Sequence, residues 1–157
     1  MYNIQREKIL PYIKNDAWFK EGVLERSLNE LDELRDKMDQ FDDLRLGVIE
    51  EFSGLLLVHP QILTNRNKSQ RALEIKETAR RVHNLRRKLL SFYNSFVRNS
   101  YRKYLPSEAG PGAEKQEFED IRQDLINRFN SIIEPDVHKS LDMMSKFLSR
   151  LNKEKFQ

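Results

Sequence analysis

Apolar residues recur at three- and four-residue steps over about forty residues: Leu24, Leu28, Leu31, Leu34, Met38, Phe41, Val48, Phe52 and Leu55. That period matches one face of an α-helix and no β-strand. Asn15-Asp16 offers a capping signal ahead of it, and His59-Pro60 is expected to end it. At ~1.5 Å per residue such a helix is roughly 60 Å long, so a rod is expected rather than a sphere. The near-heptad spacing predicts neighbours packed at shallow crossing angles. Gly22, Gly47 and Gly54 interrupt it, each weakening the helix by ~1 kcal/mol relative to Ala.

A second helix is expected from Asn65 to Leu105, with Thr64 or Asn65 as its cap. Its core stripe reads Ala72, Ile75, Ala79, Val82, Leu85, Leu89, Phe92 and Phe96. Leu90, Tyr93, Val97, Tyr101 and Tyr104 form a second apolar row, the expected docking surface for a partner helix. Residues 105–113 carry two prolines and two glycines and read as a flexible loop. Phe118, Ile121, Leu125, Phe129 and Ile132 mark the next helix, which Glu134-Pro135 kinks or restarts. Val137, Leu141, Met144, Leu148 and Leu151 complete the pattern. Residues 1–15 are expected to hold a short helix. The fold expected is all-α: one domain over residues 1–157, an elongated antiparallel bundle of three to four long helices, the last broken at Pro135.

Composition agrees with long helices: 34% of residues are charged, 38% are apolar, and Gly and Pro number five each. With no Cys there is neither a disulfide framework nor a thiolate metal site, so a reducing, cytoplasmic setting is expected. No signal peptide is expected at the start of the chain. The longest continuous apolar run, Leu55-Leu56-Leu57-Val58, falls far short of the ~20 residues a membrane span needs, so no transmembrane segment is expected.

Motifs for chemistry are missing. His59, His83 and His138 lie far apart in the sequence. His138 follows Glu134 by one helical turn, but a metal site needs further ligands. Gly110-Pro111-Gly112 lacks the Lys-Ser/Thr of a phosphate loop. A ribonuclease-type Arg-to-His spacing fails because Tyr104, not His, follows Arg98 by six. No enzyme activity, cofactor, metal or small-molecule substrate is expected.

The remaining signal is charge. Between Arg66 and Lys103 there are twelve Lys or Arg and two acids, a formal +10 in a chain whose total is +3. Projected at about 100° per residue, Lys76, Arg80, Arg87, Lys88, Arg98 and Arg102 gather opposite the apolar stripe. Arginine at one-turn spacing suits bidentate phosphate contacts. An acidic row, Glu25, Asp32, Asp36, Asp39, Asp43 and Glu50, runs along the preceding helix. For a hairpin centred on residue 62, residues whose numbers sum to about 124 face each other. That register puts Asp43 beside Arg80-Arg81 and Asp36 beside Arg87-Lys88, so one basic flank is expected to be neutralised internally. Arg45 and Arg86 fall on the apolar stripes and imply an edge position, a polar layer or an open seam.

The expected function is a non-enzymatic helical subunit that binds the phosphate backbone of nucleic acid without reading sequence, within a larger nucleoprotein assembly. The alternative is a protein-interaction module that docks partner helices or an acidic protein. A third reading is attachment to a membrane surface through Leu89 to Leu105.

Overall fold

Asp16–Leu63 is one 48-residue helix, α1, about 72 Å long at ~1.5 Å per residue. It belongs to a computed structural model that describes residues 16–105 and 115–155. The short helix expected over residues 1–15 and nearly all of the 105–113 loop fall outside the described residues. The expected stop at His59-Pro60 is corrected, because α1 continues through Pro60 to Leu63. Pro60 lies in the last turn, where its missing N–H removes one bond, to the Leu56 carbonyl, and the chain turns soon afterwards.

Asn67, rather than Thr64 or Asn65, caps the next helix, α2 (Lys68–Phe96): its side chain accepts from the Gln70 N–H at 3.1 Å. Asn65 Oδ1 accepts from the Asn67 N–H at 3.0 Å, and Thr64 Oγ1 donates to the Gln61 carbonyl at 2.7 Å. The chain then widens into a π-helical turn, Val97–Tyr101, followed by the one-turn helix α3 (Arg102–Tyr104).

The C-terminal rod is α4 (Lys115–Arg128), a second π turn (Phe129–Ile133) and α5 (Glu134–Glu154). Pro135 has no N–H, so the i→i−4 ladder must break here. The Glu134 N–H reaches back five residues to the Phe129 carbonyl, which keeps the rod continuous. This wider turn advances the buried face by four residues, from Leu125 to Phe129, Ile133 and Val137. Ile133 is therefore buried and Ile132, expected in the core, is exposed. On α2 Tyr93 occupies the buried face where Phe92 was expected; Phe92 is 47% exposed.

The three rods pack side by side, with α2 against α1 and α5, and α4 against α1. Among the described residues there is helix and no strand. An aromatic cluster lies on the α4 side of the core: Phe41 stacks on Phe96 (5.2 Å, 8°), and Phe129 stacks on Tyr101 (4.1 Å, 23°) and Tyr93 (6.3 Å, 5°), with Leu31, Leu34 and Phe118 buried beyond it. A second cluster joins Phe52, Phe147 and His59, whose ring meets Phe147 edge-on at 5.0 Å. His59 Nε2 lies 2.8 Å from Glu154 Oε2, at ion-pair distance but off the line of a hydrogen bond.

Between these clusters sits a polar layer. Arg45, 6% exposed, donates to Asp42 Oδ1 through Nε (2.9 Å) and Nη2 (2.6 Å) and to Asp136 through Nη1. Arg128 joins the layer by bonding Asp39 at 2.7 Å and approaching Asp42 at 3.6 Å. Arg86 lies at the α2–α5 edge and donates to Ser145 Oγ at 2.9 Å.

Candidate nucleic-acid interface

Facing aromatic and apolar pairs set the hairpin register. Phe41 meets Phe96, while Thr78 and Arg81 share a groove with Glu51 and Leu55. Facing residue numbers thus sum to about 132–137 rather than 124, because the turn lies at 64–67 and α1 is longer than expected. The shift slides Asp43 about 15 Å along the hairpin, away from Arg80-Arg81.

The expected neutralisation of the basic flank is therefore corrected. Among the described residues, no ion pair joins an acid of α1 to a Lys or Arg of α2. The α1 acids pair elsewhere: Asp32 with Arg35, Asp42 with Arg45, and Asp39 with Arg128. Asp36, Asp43 and Glu50 remain exposed on the outer face of α1. The Glu25 side chain lies outside the described residues.

All six residues of the basic row are exposed. Arg80 is held by Glu77 on its own helix, its Nε donating to Oε2 at 3.0 Å. That hydrogen bond lowers the Glu77 carboxyl and raises the Arg80 guanidinium, and the pair adds little net charge. Lys76 stands on the α5 flank, beside a groove lined by Ile75, Ala79, His83 and Leu148. Arg102 follows the Val97–Tyr101 π turn, whose extra residue rotates it out of the line that uniform 100° steps predict. The core of the row is then Arg87, Lys88 and Arg98, which make no ion pair with the described residues. Phe92 follows Lys88 by one turn. It lines a cleft of about 510 Å³ with Lys37, Gln40, Ser95, Asn99 and Tyr104.

The expected docking row is occupied from within. Leu90, Val97, Tyr101 and Tyr104 are half-buried against the chain's own core, and Tyr93 is buried. Tyr93 Oη donates to Glu134 at 2.8 Å, and His138 packs edge-on against its ring at 5.7 Å. The membrane reading through Leu89 to Leu105 loses the same side chains. Among the described residues the exposed large apolar side chains are others: Leu46, Leu57, Val58, Leu63, Leu73, Phe92, Ile132 and Met143. Sequence periodicity passed over most of them because they lie outside the stripes, although the Leu55–Val58 run was a signal.

Burial, and then the bond to Glu134, push the Tyr93 phenol up to about 12. Unfolded, it would lose its proton near 10.0. Its contribution to stability is therefore complete below pH 10 and is lost as pH rises towards about 12. Tyr93→Phe is expected to flatten the fall in urea midpoint across that window. Tyr101, raised mainly by burial, leaves a residual slope.

Among the described residues no three or more His, Asp or Glu side chains gather as a metal site. By length and composition alone, Leu28–Leu63 is long and apolar enough to cross a membrane. Compared with protein-family models, with curated proteins and with solved structures, the chain matches none.

Proposed function

We propose that the protein is a non-enzymatic helical subunit that binds the phosphate backbone of nucleic acid along α2, independently of base sequence. The observation that carries this reading is the exposed row Arg87, Lys88 and Arg98, which forms no ion pair with an acid among the described residues. Two of the three are arginines, whose planar forks match phosphate oxygens. A straight helix bearing such a row follows a backbone without entering a groove to read bases. Exposed Phe92 beside Lys88 supports single strands over duplex, because an unstacked base can lie on its ring. The acidic face of α1 repels phosphate and confines the strand to the α2 side.

The test is fluorescence polarisation with a labelled oligonucleotide over a salt series. Arg87→Glu/Lys88→Glu/Arg98→Glu is expected to weaken binding at low salt by at least about 100-fold. Milder Gln substitutions at these positions should shallow the salt dependence by roughly two to three contacts. Circular dichroism should show an unchanged helix, since all three side chains are exposed. Absence of binding by the unmodified chain at low salt, to single strand and duplex alike, would refute the reading.

A further inference from the structure

Between Glu51 and Glu74 the sequence holds twenty-two residues without an acid, in a chain with 25. The fold gathers this stretch at one end of the bundle, as the tip of the α1–α2 hairpin. Arg66 and Lys68 are exposed there and make no ion pair with the described residues. Arg71 adds a third charge while donating to the Asn65 carbonyl at 3.0 Å. The last turn of α5 ends alongside and adds exposed Lys153, while Glu154 turns inward to His59.

Large apolar side chains surround the same tip. Leu57 is 79% exposed and Leu73 66%, with Val58 and Leu63 nearby. Leu57 precedes Leu63 by six residues and Leu73 follows Asn67 by six, so each lies about 9 Å from the turn along its helix. That is the depth to which interfacial elements sink, about 5–10 Å. The turn also satisfies its own backbone. Thr64 N–H donates to the Gln61 carbonyl and Asn65 N–H to the Ile62 carbonyl, both at 3.2 Å, and Asn67 closes the start of α2. Each of these bonds lowers the cost of bringing the turn into a poorly hydrated layer.

From this combination we infer that the hairpin tip docks end-on against an anionic phospholipid bilayer. Arg66 and Lys68 meet the lipid phosphates, and Leu57, Val58, Leu63 and Leu73 sit among the upper acyl carbons. The apolar residues stand on the solvent faces of two different helices, so a partner packed along one face covers only part of them. A bilayer covers the whole end. A second copy joined tip to tip would set Arg66 and Lys68 against their own counterparts. Spanning by α1 is not required: Val48, Phe52, Leu55 and His59 stay buried in the bundle while the tip is engaged. This site lies apart from Arg87 and Lys88, about six turns along α2 from the cap, and from Arg98 in the π turn beyond, at about nine.

The experiment is flotation of the full chain with phosphatidylcholine vesicles, with and without phosphatidylserine. Binding is expected only when phosphatidylserine is present. Leu57→Ser/Leu73→Ser and Arg66→Glu/Lys68→Glu should each reduce the bound fraction at least about tenfold. Arg87→Glu/Arg98→Glu should stay within about twofold of the unmodified chain, because its charges lie too far from the surface to act through salt. Equal flotation with both vesicle types, or none, overturns the proposal. So does full binding by Leu57→Ser/Leu73→Ser, which would mean adsorption by charge alone. A chain that sediments as a dimer, turns monomeric on that substitution and ignores vesicles would assign the tip to a second copy and overturn it too.

Discussion

Phe129→Ala is expected to lower the free energy of unfolding by about 4 kcal/mol. Phe129 is 3% exposed and is the ring on which three others converge: Tyr101 and Tyr93 in stacked arrangement, Phe96 tilted at 6.0 Å. Truncation removes the buried ring and leaves a cavity that these neighbours are poorly placed to fill. Both helices beside the cavity are already widened into π turns, Val97–Tyr101 and Phe129–Ile133. Each turn is held in phase by packing across the layer, so the lost ring loosens two helices together. Against a total stability of roughly 5–15 kcal/mol for a domain, this is a large fraction. Urea unfolding followed by circular dichroism measures it. Phe92→Ala is the matched comparison: the same residue type, half exposed, with an expected cost below about 1 kcal/mol. Equal losses for the two variants would contradict the assignment of Phe129 as the centre of the layer.

Arg45→Ala is expected to cost about 3 kcal/mol. The guanidinium is buried between Asp42 on its own helix and Asp136 in the first turn of α5. Its removal leaves two carboxylates close together, with Arg128 beside Asp42 as the remaining basic neighbour among the described residues. The side chains of Asp42 and Asp136 keep 22% and 38% exposure, so water offsets part of the loss and the upper end of the usual range is not reached. The sign of the cooperativity is the sharper test. Arg45→Met combined with Asp42→Asn and Asp136→Asn removes all three charges at once and should be less damaging than Arg45→Ala alone. If the combined variant is the weaker one, the layer stabilises through its pairing rather than merely tolerating buried charge.

Much of this architecture was legible in the stripes. Leu31, Leu34, Met38, Phe41, Val48, Phe52 and Leu55 are buried as their period required. The same holds for Val82, Leu85 and Leu89 on α2 and for Val137, Leu141, Met144 and Leu151 on α5. Errors began where the period changed. Ile132 and Phe92 were assigned inward by three-residue steps. Near Pro135 the helix widened by a residue, and on α2 Tyr93 took the buried place because its hydroxyl reaches Glu134 across the bundle. Neither effect is visible in a local window, since each depends on a residue in another rod or on a non-α hydrogen bond. The second apolar row is partly covered for a related reason: Tyr93 and Tyr101 meet rings of the C-terminal rod and Tyr104 lines a cleft with α1, and the stripe alone does not specify where those rods lie.

Charge was the least legible part. Sequence counted the +10 segment correctly, and it placed Arg87, Lys88 and Arg98 on an exposed face. It could not decide whether α1 would neutralise them, because exposed ion pairs are worth only ~0–1 kcal/mol and do not set a register. Packing of Phe41 on Phe96 sets it, and the acids are carried past the bases. By itself, then, the sequence determined an all-helical bundle, its buried faces and a basic helix, all of which follow from local period and composition. Tertiary structure alone decided which cations stay uncompensated, where the apolar hairpin tip lies and which rings meet. Those outcomes depend on the mutual register of rods whose contacting residues are tens of positions apart in the chain.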